Sequence, residues 1–93
     1  MRKILITGAS NGLGFALAEH FLSNGETVVI NTRTPTTAEL TEKKIAANKF
    51  KAKHLIIPAD VKNRKQVQNL FALANKKVGQ IEVVINCAGI NID

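Results

Sequence analysis

The sequence predicts an α/β fold in which helices cover both faces of a parallel, four-stranded sheet. Short apolar segments alternate along the chain with segments whose apolar residues recur at helical spacing, in the order βαβαβαβ. The strand segments are apolar throughout, which is typical of strands buried on both faces. Because the 93 residues contain neither repeats nor low-complexity tracts, we expect a single domain over residues 1–93.

The first two strands are predicted on either side of the first helix. Lys3–Ile6 is a short apolar run that breaks off before Gly8, and Thr27–Asn31 is a second such run. The helix is expected over Gly12–Asn24, and Asn24–Gly25 then supplies the left-handed residue that closes it. Apolar residues at positions i, i+3, i+4 and i+8 predict its buried face: Leu13, Ala16, Leu17 and Phe21.

The middle of the chain predicts a second helix and a third strand. Thr36 or Thr37 is the expected N-cap of a helix that runs to about Lys49. The strand His54–Ile57 follows and is expected to stop at Pro58.

The last two elements are a third helix and a fourth strand. Asn63 and Gln66 resemble a capping box, and the helix that they begin is expected to end at Gly79. Ile81–Ile85 is the fourth apolar run. Since crossovers between parallel strands are right-handed, the elements predict a Rossmann-type sheet with strand order 3-2-1-4. The expected buried face of the third helix has helical spacing: Val67, Leu70, Phe71, Ala74 and Val78.

The charge of the chain is basic, with 13 Lys and Arg against 7 Asp and Glu. Such a balance allows a nucleic-acid partner, an anionic small ligand or a lysine-rich solvated surface. The basic residues are not interleaved with aromatic ones, so we favour the solvated surface and expect no nucleic-acid partner. No pattern of residues indicates a metal site.

The cysteine content and hydropathy predict a cytoplasmic protein. Cys87 is the single cysteine and therefore cannot form an intrachain disulfide, which suits a reducing compartment. No apolar run approaches the ~18 residues of a membrane span, so we expect no membrane contact. The apolar start of the chain breaks at Thr7–Gly8, unlike a signal peptide.

Residues 7–14, TGASNGLG, lie where the first strand leads into the first helix. Backbone N–H groups at a helix N-terminus are unpaired and lie at the positive end of the helix dipole, which suits a dinucleotide pyrophosphate. Gly8 would make the turn, Gly12 would admit the phosphate and Gly14 would let the helix pack closely. The spacing is GxxxGxG rather than GxGxxG, and the alternative is a glycine-rich turn without a ligand. The expected ligand contacts are Gly8, Ser10, Asn11, Gly12, Leu13 and Gly14.

These features together resemble the short-chain dehydrogenase/reductase family. TGASNGLG is similar to the family's TGxxxGxG turn. Asp60 and Val61 follow the third strand, where the family's Asp meets the adenine, and NCAG at residues 86–89 resembles the family's NNAG after the fourth strand. The resemblance spans the whole chain and implies a nicotinamide dinucleotide cofactor. It implies further cofactor contacts at Asp60, Val61, Asn86, Ala88 and Gly89.

Three of these positions also allow a purely structural role. Asp60 could cap a turn, and Asn86 could bind neighbouring backbone and brace the sheet. Cys87, which replaces the family's second Asn, is expected to be a small buried apolar residue.

The end of the second strand predicts NADP(H) in preference to NAD(H). Thr32 stands where NAD-dependent members of the family carry Asp, and Arg33 follows it. A carboxylate would accept a hydrogen bond from the ribose 2′-OH and repel a 2′-phosphate, whereas a guanidinium binds phosphate bidentately. Asn11 argues the other way, because many NADP-preferring relatives carry a basic residue there. The alternative for Arg33 is an ordinary exposed loop arginine.

The resemblance implies hydride transfer between the nicotinamide and a carbonyl or alcohol carbon. The family performs it with a Ser, an Asn and a Tyr in a YxxxK segment, since the reacting oxygen needs a proton donor. This sequence has no tyrosine, and its two serines, Ser10 and Ser23, precede the second strand. We therefore expect no catalytic residue here and no activity from this chain alone.

The chain stops at Asp93, shortly after the fourth strand, so we interpret it as the truncated cofactor-binding half of the family's fold. Val83–Ile85 would then lie on an unprotected sheet edge. This predicts either a marginally stable monomer or an assembly that covers the edge, through a complementing chain or self-association. The alternative function is a non-catalytic nucleotide-binding or interaction module, a truncated remnant of the family.

Overall fold

Strands and helices alternate along the whole of the described chain. The computed structural model describes residues 2–87. The strands are β1 (Lys3–Thr7), β2 (Thr27–Thr32), β3 (His54–Pro58) and β4 (Val83–Asn86). The helices are α1 (Gly12–Ser23), α2 (Pro35–Asn48) and α3 (Arg64–Val78). All strand pairs are parallel and the order is β3-β2-β1-β4, which confirms the predicted Rossmann-type α/β fold.

The chain reverses its direction across the sheet once. The crossovers through α1 and α2 carry it from β1 to β2 and then to β3, whereas α3 returns it past β1 to β4. Crossovers between parallel strands are right-handed as a rule, and α3 accordingly packs on the opposite face of the sheet from α1 and α2. Within residues 2–87, none of these helices has the length and apolarity needed to cross a membrane.

Two hydrophobic cores result, one on each face of the sheet. Successive residues of a strand point to opposite faces, so Ile4 and Ile6 belong to one core and Leu5 to the other. Ala18, Leu22 and Ile45 complete the core beneath α1 and α2. The core beneath α3 contains Val29, Ile57, Leu70, Ala74 and Val78. Burial on both faces explains why the strands are apolar throughout.

The predicted buried face of α1 was wrong for two of its four residues, Leu13 and Ala16. The buried residues are Gly14, Ala18 and Leu22, while Leu13 is 50% exposed and Ala16 is also exposed. The sequence prediction counted large apolar side chains, but close approach of this helix requires small ones. A Cβ on Gly14 would lie 2.9 Å from Ala9 Cα, so the glycine must face inward. Two residues of the predicted face lie at the margin of the core, Leu17 and Phe21.

Helix α2 begins earlier than predicted. Its N-cap is Thr34, not Thr36 or Thr37. Thr37 N donates to Thr34 Oγ1 at 3.2 Å, and Thr34 N donates to Thr37 Oγ1 at 3.1 Å, which completes a capping box. Pro35 occupies the first helical position, where its fixed φ suits the helix and its missing N–H costs no hydrogen bond.

Helix α3 has its predicted cap but only half of the predicted capping box. Gln66 N donates to Asn63 Oδ1 at 3.1 Å, as expected. The Gln66 side chain does not return to Asn63; its Oε1 accepts from Asp60 N at 2.7 Å. Gln66 therefore holds the loop between β3 and α3. The helix ends before Gly79, whose φ of 93° is readily adopted only by glycine.

The boundaries of β3 and β4 differ slightly from the predictions. Pro58 is the last residue of β3, paired with Thr32, and a proline is tolerated at such an edge-strand end. Strand β4 starts at Val83 rather than Ile81, because Ile81 N donates to Asn75 Oδ1 of α3 instead of joining the ladder. Among the described residues, β4 has β1 as its only strand neighbour.

We expect the Leu70→Ala substitution to lower the free energy of unfolding by about 2–5 kcal/mol, since it leaves a cavity beneath α3. Leu70 is 1% exposed, whereas Leu73 of the same helix is 38% exposed. Leu73→Ala is the matched control and should cost well under half as much. Urea unfolding followed by circular dichroism measures both, and equal losses would contradict the described packing of α3.

Candidate functional site

The candidate site lies at the carboxyl edge of the sheet. Strands β1, β2, β3 and β4 all end there because they are parallel. The reversal of the chain between β1 and β4 opens a crevice at this edge, which is where ligands of open α/β sheets bind. The loops that carry the predicted site residues follow these strand ends, so the fold brings them to one side of the molecule.

The glycine turn lies at the predicted junction between β1 and α1. Gly8 and Gly12 both have a φ of 62°, in the left-handed region that favours glycine. A Cβ on Gly12 would meet no atom within 4 Å, so this position faces open space. A Cβ on Gly14 would lie 3.0 Å from Gly8 O, so the helix packs directly against the turn. The turn and helix thus show the close packing predicted for Gly14.

The N-terminus of α1 has no side-chain cap. Asn11 is the N-cap residue with extended backbone, but its side chain makes no capping hydrogen bond. No acidic residue lies in the first helical turn. Backbone N–H groups there have no helical partner, and the helix dipole adds partial positive charge. An anion is the ligand that such a helix end is suited to bind.

Asn31 connects the ends of three strands through its buried side chain. It is 1% exposed at the end of β2, and its Oδ1 accepts from Gly8 N at 3.2 Å. Its Nδ2 lies 3.1 Å from Thr32 O, 3.1 Å from Ile57 O and 3.2 Å from Ala59 O. The backbone adds a bond, because Ala9 N donates to Asn31 O at 2.9 Å. One side chain therefore positions the glycine turn relative to β2 and β3.

The sequence analysis did not identify this role of Asn31. The available signal was a polar residue at the end of an otherwise apolar strand, TVVIN. A buried amide must satisfy its donors and acceptor, so such a residue indicates a network of hydrogen bonds. The sequence cannot show which backbone groups take part, since they come from three separate segments.

Thr32 and Arg33 differ in how they meet solvent. The Thr32 side chain is fully buried, and its Oγ1 donates to Thr34 O at 3.3 Å, so its hydroxyl holds the loop into α2. Arg33 is exposed, and within residues 2–87 no hydrogen bond or ion pair engages its guanidinium. The described loop therefore presents an uncompensated cation beside the end of β2.

Asp60 has the turn-capping contacts that the sequence left as its alternative role. Its Oδ1 accepts from Lys62 N at 3.0 Å, and its carbonyl accepts from Asn63 N at 3.0 Å. The backbone N–H of Asp60 donates to Gln66 Oε1. Three hydrogen bonds thus hold the loop that follows β3, and the Asp60 carboxylate takes part in one of them.

Asn86 braces the end of β4 against β1. Its Oδ1 accepts from Thr7 Oγ1 at 2.7 Å, so the bracing partner is a side chain rather than the neighbouring backbone. Thr7 and Asn86 line a cavity of about 250 Å³ together with Val61. Cys87 packs against the core beneath α1 and α2, in keeping with a small apolar role. Two predicted contacts lie outside the described residues, Ala88 and Gly89.

The fold and the glycine turn define a Rossmann-type α/β protein. The sequence profile of the family described as short chain dehydrogenase matches residues 2–93. The chain therefore belongs to the short chain dehydrogenase family.

Curated relatives and solved structures agree with this assignment. Human 3-hydroxyacyl-CoA dehydrogenase type-2 is 39% identical over 88 residues, which are 95% of this chain and 32% of the relative. The uncharacterized oxidoreductase YxjF of Bacillus subtilis is 35% identical over 92 residues, 97% of this chain and 35% of the relative. The chain thus spans about a third of the length of these relatives.

Two reductase structures have the same fold over almost the whole chain. Menthone neomenthol reductase from Mentha piperita superposes with a TM-score of 0.87 and 25% identity, covering 97% of this chain and 32% of its own. L-sorbose reductase from Gluconobacter frateurii, complexed with NADPH and L-sorbose, has a TM-score of 0.86 and 25% identity. The match covers 99% of this chain and 35% of the reductase chain.

We expect Asn31→Asp to lower the free energy of unfolding by about 3 kcal/mol or more, because it replaces the donor facing three carbonyls with a buried acceptor. Asn69→Asp, an exposed change of the same kind on α3, is the control and should cost about 0.5 kcal/mol or less. Urea unfolding at pH 7 measures both. Equal stability of the two variants would show that the Asn31 network does not hold the strand ends.

We expect Gly14→Ala to destabilise the protein by about 1–3 kcal/mol, although the same change in an ordinary helix interior is stabilising. The reason is the contact of the new Cβ with the backbone of Gly8 and Ala9. Thermal unfolding measures the sign, and a raised melting temperature would contradict the close packing of α1 on the turn.

Proposed function

We propose that this chain is the NADP(H)-binding segment of a short-chain oxidoreductase that acts on a carbonyl/alcohol pair. The observation that carries the proposal is the glycine turn between β1 and α1, where the helix N-terminus has neither a side-chain cap nor an acidic residue. The family membership supports it, and so does the similarity to a reductase solved with NADPH.

The proposed cofactor contacts follow from the loops at the carboxyl edge of the sheet. N–H groups of residues 8–14 would hold the diphosphate, with Gly12 leaving space for its approach. Asp60 and Val61 would meet the adenine, on a loop that Gln66 holds in place. The remaining contacts are proposed at Asn86, the last residue of β4, and at Ala88 and Gly89.

The preference for a 2′-phosphate rests on charge. The position that selects NAD(H) in relatives holds Thr32, whose buried hydroxyl serves the loop, and Arg33 beside it is exposed and unpaired within the described residues. A phosphate that carries about two negative charges gains from a guanidinium and is not repelled by a carboxylate.

We further propose that this chain is not catalytic by itself. The bound cofactor supplies a hydride acceptor or donor, but the reacting oxygen also needs a positioned proton donor. The 93 residues contain no tyrosine, and the hydroxyl of Ser23 is bound to Glu19 O near the far end of α1. The chemistry then needs residues outside this sequence, in keeping with relatives about three times as long.

The edge of β4 is where we propose that further polypeptide adds to the sheet. Val84 is 50% exposed, and β1 is the only strand paired with β4 among the described residues. Exposed, apolar strand edges readily pair with additional strands. The added strand would come from further residues of the same polypeptide, a complementing chain or a second copy.

We also propose a reducing location, the cytoplasm. The proposal rests on Cys87, the single cysteine of the sequence, which is half-buried and not in a disulfide.

We expect calorimetric titration to show tighter binding of NADPH than of NADH, and Arg33→Ala to weaken NADPH binding about tenfold or more, since a hydrogen-bonded charge pair is lost. NADH binding should change little. Arg64→Ala, an exposed arginine at the start of α3, is the control and should leave both affinities unchanged. Tighter binding of NADH by the unaltered chain, or an equal loss for both nucleotides in Arg33→Ala, would overturn the NADP(H) preference.

A further inference from the structure

A lysine of α2 reaches across to the glycine turn. Lys44 Nζ donates a hydrogen bond to Ser10 O at 2.7 Å, although the two residues are far apart in sequence. The same ammonium lies 4.3 Å from the centre of the Phe15 ring on α1. A carbonyl oxygen and an aromatic face both attract a cation, so two contacts fix the position of this charge.

The ammonium borders a small cavity beside the turn, which we call the α1–α2 pocket. It has a volume of about 120 Å³ and is lined by Ser10, Asn11, Thr37, Leu40, Thr41 and Lys44. Lys44 is the only charged side chain in this lining. The first turns of α1 and α2 contain no acidic residue, and no carboxylate within residues 2–87 forms an ion pair with Lys44. The one charged group that borders the pocket is therefore a cation.

One wall of the pocket is formed by α2, which follows the loop that carries Arg33. Thr37, which lines it, is hydrogen-bonded to Thr34, the residue after Arg33. The opposite wall is formed by Ser10 and Asn11 of the proposed diphosphate turn. Lys44 therefore places a cation beside the proposed diphosphate turn, and Arg33 places a second one in the loop between β2 and α2.

We propose that Lys44 is a specificity-determining residue that provides a second cation for the 2′-phosphate of NADP(H). The inference rests on the proposed function and extends it to a residue of α2. An ammonium has three N–H donors; the bond to Ser10 O uses one and the Phe15 ring lies against the cation, so at least one donor remains for a phosphate oxygen. Asn11 contributes no charge at the glycine turn. Lys44 of α2 lines the same pocket as Asn11 and supplies a positive charge there.

A purely structural role for Lys44 makes a different prediction. If the ammonium only ties α2 to the turn through Ser10 O, its loss disturbs the diphosphate cradle and weakens every dinucleotide alike. If it contacts the 2′-phosphate, its loss weakens the binding of NADPH. The binding of NADH is then unchanged, because NADH lacks that group. The ratio of the two affinities therefore separates the two roles.

The test is calorimetric titration of the 93-residue chain with NADPH and with NADH at one fixed, moderate salt concentration. Lys44→Met removes the charge but keeps an apolar stem against Phe15, and Lys44→Arg keeps the charge. Lys43→Met is the matched control, because Lys43 is the exposed neighbour on α2 and does not line the pocket. We expect Lys44→Met to weaken NADPH binding about three- to tenfold with NADH unchanged, while Lys44→Arg and Lys43→Met retain the NADPH preference.

Each other outcome points to a distinct failure. An unchanged ratio of affinities in Lys44→Met overturns the role of Lys44 while the proposed function stands. An equal loss for both nucleotides assigns Lys44 to the structure of the turn and also overturns it. If Lys43→Met weakens NADPH binding as much as Lys44→Met does, the effect comes from net charge alone and the specific role of Lys44 is overturned. If the unaltered chain binds neither nucleotide, the proposed function fails first and the inference fails with it.

Discussion

The candidate site depends on one buried amide. Asn31 is the penultimate residue of β2. Its side-chain oxygen accepts from the N–H of Gly8, and its Nδ2 faces the carbonyls of three residues at the ends of β2 and β3. Hydrogen bonds shielded from water in this way are strong, and none of the partners is free to move without leaving a buried polar group unsatisfied. The glycine turn is therefore held against the sheet before any ligand arrives, which lowers the entropy that binding would otherwise lose.

The fold could be predicted from the sequence because each strand is apolar and each helix has start or stop signals. Errors arose where a local pattern had competing solutions. Leu13 fits a helical stripe, but the requirement for a small residue at Gly14 turns α1 so that Leu13 faces outward. Thr36 and Thr37 are acceptable caps, yet Pro35 fixes the start of α2 one residue after Thr34.

The site was predictable only in part, for a related reason. The glycine turn is contiguous in sequence and its spacing shows its geometry. The contributions of Asn31 and Lys44 depend on partners far along the chain, such as Ala59 and Ser10, and no local pattern records those contacts. Asp60 is the opposite case, because its partner lies only two residues away. A turn-capping role could therefore be given from the sequence as one of two alternatives, and the structure has that contact.

The central claim is that the N–H groups between β1 and α1 bind the diphosphate of a dinucleotide. It is tested most directly by titrating the ¹⁵N-labelled chain with NADPH and following the backbone amide resonances. The account predicts saturable shifts concentrated on residues 8–14, with the amides of the exposed face of α3 unaffected. Absence of saturable shifts, or shifts confined to the basic residues of α3, would contradict it.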